Sequence, residues 1–178
     1  MNNPILIDID NYCDNRGSFY QSHTLSLLEN HKIYTTFVQD CHSVSHKNVV
    51  RGLHYQYNEP LDKLVRVSNG SIIDIIVDIR INSSTFGKVY QYELTSKKIQ
   101  LLWVPAGFAH GFKSLEDNTH VQYKFTKEYN KNGESGINIF DNELNINLGL
   151  SKNKILLSDK DNNLQSLAEY KLNKAVQL

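Results

Sequence analysis

Cysteine is scarce in this chain and no run of like charge occurs, and each shortage excludes a class of protein. The 178 residues include two cysteines, Cys13 and Cys41, which do not form a Cys-x-x-Cys pair. They give no support for a disulfide framework or a zinc site, and they favour a reducing compartment. Acidic and basic side chains balance at 19 each and no basic tract occurs, so a nucleic-acid partner is not expected.

Long apolar runs are also missing. No segment approaches the length of a membrane span, and Met1–Asp10 lacks the basic n-region of a signal peptide. We therefore expect a cytoplasmic protein with no membrane partner. No Pro/Gly/Ser-rich linker and no internal repeat divides the chain, so residues 1–178 predict a single domain.

Most of the chain is typical of short strands separated by turns. β-Branched and aromatic residues predict strands at 34–39, 63–68, 71–80, 89–94, 100–104 and 120–125. Asn69-Gly70 is the dipeptide of tight hairpin turns, so the strands on either side of it are predicted to pair. Such spacing favours a mainly β sandwich or barrel. Leucines at helical spacing predict short helices at 24–30 and 163–175.

Two histidines stand in glycine-flanked aromatic segments. Arg51-Gly52-Leu53-His54-Tyr55-Gln56 carries the first, and Pro105–Phe112 carries His110. Imidazole titrates close to neutral pH, so a histidine on a rigid strand is suited to removing a proton. Arg51 would bind an anionic substrate, since its guanidinium matches phosphate oxygens. Either histidine alone is as well explained as an ordinary half-buried strand residue, but the two together favour a site.

The Pro-x-Gly turn before His110 and the short strands favour a jelly roll of the cupin type. Many cupins bind a metal through a His-x-His pair, a glutamate and a later histidine. Here Gln56 occupies the second histidine position, and Pro60 stands where the glutamate is expected, with Glu59 one residue early. An amide is a poor ligand for a transition metal. We therefore predict acid–base chemistry that uses no metal and no cofactor.

The chain resembles the dTDP-4-dehydrorhamnose 3,5-epimerase family. The likeness covers almost the whole sequence, in order, at 15–19, 37–40, 51–56, 63–67, 84–87, 105–112, 122–124 and 157–161. It implies a mainly β, cupin-type jelly roll (double-stranded β-helix) at about 30–147, with short flanking helices and a C-terminal segment, 151–178, that contributes Asp161. It also implies an isomerase that epimerises C3 and/or C5 of a nucleotide-linked 4-keto-6-deoxyhexose, in dTDP-rhamnose and cell-surface polysaccharide biosynthesis.

The resemblance assigns roles to four catalytic residues. His54 would be the base that removes the proton next to the C4 ketone, and Asp161 would orient it. Tyr123 would return a proton on the opposite face, since one group acting on one face would invert nothing. Lys63 would place a cation beside the enolate oxygen. Without the resemblance, Asp161, Tyr123 and Lys63 are equally well explained as a turn residue, a core tyrosine and a strand-edge lysine.

The resemblance also assigns the substrate-binding residues. Arg51 and Arg16 would hold the diphosphate, with Arg16 reaching into a neighbouring subunit's site, which implies a homodimer. Phe19 and Gln39 would contact the nucleobase, and His110 the sugar. The remaining positions implied in binding are Gln21, Cys41, Tyr129, Glu134 and Lys160.

Two departures from the family pattern leave alternatives open. Cys41 stands where the family usually has asparagine, and Gln21 where it usually has glutamate. The resemblance implies that both positions contact the nucleobase, so a CDP or GDP carrier is an alternative to dTDP. The short loop Tyr57–Asp62 leaves a mono-epimerase open. Three further alternatives are less favoured. A cupin ketoisomerase lacks support because its sequence pattern is not found around His54, and a non-catalytic sugar-binding jelly roll because His54, Tyr123 and Asp161 are all present. A metal-dependent oxygenase is disfavoured by Gln56.

Overall fold

Two five-stranded antiparallel sheets make up most of the molecule, which is described here from a computed structural model for residues 3–173 and 177. The strands are β1 (Ile5–Asp8), β2 (Tyr12–Asp14), β3 (Gly17–Phe19), β4 (Gln39–Ser45), β5 (Val50–Gln56), β6 (Lys63–Asn69), β7 (Ser71–Asp78), β8 (Val89–Thr95), β9 (Gln100–Val104), β10 (Phe108–Ser114), β11 (Thr119–Phe125) and β12 (Glu134–Gly136). The helices are α1 (Leu25–Asn30), α2 (Asp159–Asn162) and α3 (Leu167–Leu172).

The two sheets pack face to face as a cupin-type jelly roll. One sheet has the order β1-β9-β6-β11-β4 and the other β12-β5-β10-β7-β8, while β2 and β3 form a separate hairpin. Apolar side chains from both sheets meet in one cluster, in which Val65 and Val121 of the first sheet lie with Ile72, Ile76 and Phe112 of the second. Burial of these faces is the main favourable contribution to folding. The predicted fold class is confirmed.

The predicted hairpin at Asn69-Gly70 is wrong. The strands on either side of it form as predicted, but β6 pairs with β9 and β11, and β7 pairs with β8 and β10. The turn carries the chain from one sheet to the other. Gly70 has φ +77°, and a Cβ there would lie 2.4 Å from Thr119 Oγ1. The dipeptide therefore supplies the positive φ that the turn requires, but a local turn does not determine which strands pair.

The strand predicted at 34–39 is also wrong, because β4 begins where that prediction ends. Residues 34–38 are irregular, and Tyr34 and Val38 are exposed. β-Branched and aromatic residues favour a strand only where a partner is available. From Gln39 onward, β4 pairs residue by residue with β11. The predicted strands at 63–68, 71–80, 89–94, 100–104 and 120–125 are confirmed with shifts of at most two residues at their ends.

The helices are short and begin at polar caps. Thr24 caps α1 by accepting the Leu27 N–H, so the helix predicted at 24–30 is confirmed. The helix predicted at 163–175 begins only at Leu167, because Ser166 and Glu169 form a capping box there. Residues 174 and 175 of that prediction lie outside the described residues. No helix within 3–173 is long and apolar enough to cross a membrane.

Candidate active site

A cavity of about 570 Å³ lies between the two sheets and against α2. Its walls come from β4, β5, β6, β10, β11 and β12, so residues far apart in the sequence meet there. Most of the predicted site residues line it: Gln39, Cys41, Arg51, His54, Lys63, His110, Tyr123, Tyr129, Glu134, Lys160 and Asp161. The other three, Arg16, Phe19 and Gln21, do not.

His54 on β5 has a carboxylate bound to one ring nitrogen. Its Nε2 lies 2.6 Å from Oδ1 of Asp161, whose Oδ2 accepts the Gly52 backbone N–H at 3.1 Å. Ser158 caps α2 by accepting the Asp161 N–H, which holds the carboxylate in place. Burial raises the pKa of Asp161, but the hydrogen bonds from His54 and Gly52 outweigh it and the net shift is downward. Because ionised Asp161 accepts the Nε2 proton, the lone pair of neutral His54 is on Nδ1.

The glycines of both histidine motifs allow β5 and β10 to approach closely. Gly52 has φ +109°, and a Cβ there would lie 2.7 Å from Gly111 Cα and 2.7 Å from the His110 carbonyl oxygen. The register places His54 opposite His110. The close approach therefore sets the two imidazoles on adjacent strands of one sheet, at the cavity wall.

A second carboxylate lies beside the other nitrogen of His54. Glu134 Oε1 is 3.8 Å from His54 Nδ1. Glu134 Oε2 accepts the Tyr129 hydroxyl at 2.8 Å and the Lys160 ammonium. Burial raises the pKa of Glu134, but Lys160, His54 and Tyr129 together outweigh it, so the carboxyl is ionised at neutral pH. The predicted base is therefore flanked by two carboxylates.

Lys63 reaches the same space from the opposite sheet. Its Nζ donates to the His54 carbonyl oxygen at 3.4 Å. Burial lowers the pKa of Lys63 to about 8, although Glu134 and Asp74 act in the other direction. Lys63 therefore remains mostly cationic at neutral pH, and it can stabilise negative charge that develops in the cavity.

His110 and Asp74 form a second imidazole–carboxylate pair, of which the sequence predicted only the histidine in the site. His110 Nε2 lies 2.8 Å from Asp74 Oδ2, and both side chains are buried. Burial lowers the pKa of His110 despite the opposing effect of Asp74. Asp74 lies within the strand predicted at 71–80 but was not predicted in the site. The available signal was an aspartate inside the apolar run Ser71–Asp78, where an acidic side chain needs a buried partner.

Tyr123 faces the cavity from β11, in the sheet opposite to that of His54. Its hydroxyl lies 3.3 Å from Ser43 Oγ on the neighbouring strand. Burial raises the pKa of Tyr123 well above its ordinary value, so the phenol keeps its proton at neutral pH. A protonated phenol can act as a general acid. Ser43 was not predicted, because its role follows from the β4–β11 register.

Two glutamines hold the loop that follows β11 over the cavity. Gln39 Oε1 accepts the Tyr129 N–H at 2.7 Å, and Gln56 Oε1 accepts the Asn130 N–H at 2.6 Å. Gln39 also donates to Cys41 Sγ at 3.3 Å, and burial raises the pKa of that thiol. The sequence identified Gln56 only as a poor metal ligand, whereas the structure shows it anchoring this loop.

Two predicted phosphate ligands lie in different surroundings. Arg51 lines the cavity, and its guanidinium donates to the uncharged Ser45 Oγ and Val44 carbonyl oxygen, which leave its charge available for an anion. Arg16 lies in the β2–β3 hairpin and pairs with Asp14. Phe19 in the same hairpin is 68% exposed. Sharing of this hairpin between two subunits stays a prediction.

The described part of the chain contains no candidate metal site. Within 3–173 and 177, no three His, Cys, Asp or Glu side chains are grouped so that they could hold a metal ion. Chemistry without a metal stays a prediction that only an assay can test.

Comparison with known proteins gives a consistent result. The family model of dTDP-4-dehydrorhamnose 3,5-epimerase matches residues 1–169. The curated protein of that name from Escherichia coli (strain K12) is 44% identical over 158 residues, which are 88% of this chain and 85% of that protein. A crystal structure of dTDP-6-deoxy-D-glucose-3,5-epimerase from Legionella pneumophila Philadelphia 1, in complex with dTDP-4-keto-L-rhamnose, has a TM-score of 0.89 at 38% identity and covers 94% of this chain and 91% of its own.

A solved structure with another specificity has the same fold. The 3'-monoepimerase from Streptomyces bikiniensis, in complex with dTDP-quinovose, has a TM-score of 0.88 at 25% identity, covering 98% of this chain and 88% of its own. The shared fold alone therefore does not decide how many carbons are inverted.

Proposed function

Because the chain belongs to the dTDP-4-dehydrorhamnose 3,5-epimerase family, we propose that it inverts C3 and C5 of dTDP-4-dehydro-6-deoxyglucose to form dTDP-4-dehydrorhamnose. The 3,5-epimerases named above are 38–44% identical to it, against 25% for the monoepimerase, which favours inversion at two carbons on a dTDP carrier. The single structural observation that carries the proposal is the His54–Asp161 pair, at 2.6 Å, on the wall of the cavity.

The first step is removal of a proton from a carbon next to the C4 ketone. His54 Nδ1 carries the lone pair and takes the proton. The C–H electron pair forms a C=C bond to C4, and the π electrons of the C4 ketone move onto its oxygen. Asp161 fixes the tautomer and stabilises the imidazolium that forms. The Lys63 ammonium stabilises the enolate oxygen, and burial strengthens that interaction because little water competes.

The second step is return of a proton to the opposite face of the same carbon. Tyr123 is suited to this, because it faces the cavity from the sheet opposite His54 and its raised pKa keeps it protonated. The enolate recovers the ketone as the phenol releases its proton. A proton from solvent then restores Tyr123, and His54 loses its proton to solvent, so the enzyme returns to its starting state.

The nucleotide part of the substrate would lie toward the rim of the cavity. Arg51 would bind the diphosphate there, with Gln39 and Cys41 near the base. Arg16 and Phe19 would join the site from a second subunit, since neither lines the cavity of their own chain. The active unit under this proposal is a homodimer in the cytoplasm.

Proton exchange in D2O tests the proposal. The enzyme is incubated with dTDP-4-keto-6-deoxyglucose, and deuterium is located by NMR and mass spectrometry. We expect label at C3 and C5, together with the rhamno product trapped by a reductase. Label at one carbon would make the protein a mono-epimerase. No label with this substrate or with its CDP and GDP analogues would leave only sugar binding.

One variant and its control separate the proposed base from the proposed acid within the same assay. Tyr123→Phe should reduce inversion more than it reduces exchange, since abstraction by His54 does not require the phenol. Equal loss of both would argue against a division between base and acid. The matched control is Tyr92→Phe, which removes the phenol of a half-buried tyrosine that does not itself line the cavity.

A further inference from the structure

His54 lies between two carboxylates, and the proposed mechanism uses only one of them. Asp161 binds Nε2 at 2.6 Å, on the side away from the lone pair. Glu134 Oε1 lies 3.8 Å from Nδ1, the atom that would take the substrate proton. Glu134 is largely buried, with 10% of its side chain exposed, so water screens this interaction only weakly.

The contacts of Glu134 divide between its two oxygens. Oε2 is used by the Tyr129 hydroxyl and the Lys160 ammonium, whereas Oε1 is the oxygen nearest to His54 Nδ1. Once Nδ1 carries a proton, a small rotation of either side chain would bring an N–H toward Oε1. An ammonium on the far oxygen offsets part of the negative charge that His54 experiences while it is still neutral.

We propose that the Glu134–Lys160 ion pair sets how strongly His54 holds its proton, with Glu134 favouring the imidazolium and Lys160 limiting that attraction. Glu134 and Lys160 are positioning residues in this proposal, because both act through His54. The kinetic consequence rests on the proposed function of His54 as the base, but the electrostatic effect does not depend on turnover.

The charges around His54 nearly balance when every neighbouring element is included. The cations are Lys63 on β6 and Lys160 on α2, and the anions are Asp161 on α2 and Glu134 on β12. His110 on β10 is buried and neutral at neutral pH, and its carboxylate partner is Asp74 on β7. Tyr129 stays a neutral phenol, since burial and Glu134 raise its pKa to about 12. Removal of one member of the Glu134–Lys160 pair therefore changes the net charge by one unit in a known direction.

NMR titration of the His54 ring tests the proposal without any substrate. The protein is labelled on histidine, and the His54 signal is assigned by its loss in His54→Asn. In Glu134→Gln the titration midpoint should fall by roughly one pH unit, because an anion near the imidazolium is gone. In Lys160→Gln the midpoint should rise, because Glu134 is then uncompensated. The double variant should lie close to wild type, since the net charge is restored.

A purely structural role for Glu134 predicts a different pattern. Tyr129→Phe is the matched control, because it removes a neutral hydrogen bond from the same Glu134 oxygen and leaves every charge in place. Its midpoint should stay within a few tenths of a pH unit of wild type. Midpoints that do not move in the two charge variants, or that move in the same direction, would overturn the proposal.

Activity supplies an independent second readout. If the proposed function holds, the acid limb of kcat/KM should shift with the NMR midpoints, downward in Glu134→Gln and upward in Lys160→Gln. Above the limb, kcat of Glu134→Gln should fall roughly threefold to tenfold, since the imidazolium forms with less support. If wild type shows no proton exchange, the proposed function fails while the NMR result still decides the charge effect.

Discussion

Two imidazole–carboxylate pairs lie side by side in one sheet, and they differ in what surrounds them. His54 and His110 are opposite each other in the register of β5 and β10. His54 is 24% exposed at the cavity and has Lys63, Lys160 and Glu134 nearby. The His110–Asp74 pair is 3% and 0% exposed, so it is buried although His110 forms part of the cavity wall.

If His54 is the base, as proposed, the difference implies that a histidine and an aspartate at hydrogen-bond distance do not by themselves define a base. An imidazole can act as a base when solvent and nearby charged groups stabilise both its neutral and its protonated form. His110 is desolvated and its pKa is lowered, so it serves as a neutral hydrogen-bonding group. His54 has a carboxylate on each side and an open face, which suits a group that gains and loses charge in each turnover.

Replacement of His54 gives the largest expected effect on activity. His54→Asn should lower kcat by roughly two to four decades, the contribution of a lost general base. Its free energy of unfolding should fall by about 1–3 kcal/mol, because buried Asp161 loses one partner but keeps the Gly52 N–H. Proton exchange in D2O and urea unfolding measure the two quantities. Near-normal exchange would show that another group is the base.

The buried pair should respond in stability. His110→Leu leaves the Asp74 carboxylate buried without its partner, at a cost of about 3–5 kcal/mol in the free energy of unfolding. Urea denaturation measures the loss. The double variant His110→Leu/Asp74→Leu should recover much of it, because no unpaired charge remains. A single variant as stable as wild type would contradict the view that this pair is mainly structural.

Loss of the orienting carboxylate should have an intermediate effect. Asp161→Asn removes the charge that fixes the Nε2 proton, and we expect a fall in kcat/KM of roughly 10- to 100-fold, as for other partners that orient a histidine. Ser158→Ala is the control, since it removes only the hydrogen bond to the Asp161 backbone. Equal losses in the two variants would mean that helix capping, rather than charge, is what Asp161 provides.

The contrast between the pairs also explains what could be predicted from sequence. The strands and both histidine motifs have local signatures, whereas Asp161 is 107 residues from His54 and was placed in the site only by resemblance. The sequence did not predict the supporting roles of Asp74, Ser43 and Gln56. Strand register sets the partners of Asp74 and Ser43, which are His110 and Tyr123, and the partner of Gln56 lies in the loop after β11. The error at Asn69-Gly70 has the same origin, since a turn fixes φ but not the sheet that each strand joins.

Lys63 connects the two pairs, and its titration should affect activity only at alkaline pH. It donates to the His54 carbonyl oxygen, and its charge interacts with Asp74 and Glu134. Because burial lowers the pKa of Lys63 to about 8, the cation beside the enolate is lost as pH rises through that value. kcat/KM should therefore fall above pH 8 by about tenfold per pH unit. Lys63→Arg keeps its charge to higher pH, so its profile should lack this limb even if its rate is lower. An alkaline limb that persists in Lys63→Arg would assign the titration to another group and leave Lys63 as a packing residue between the two sheets.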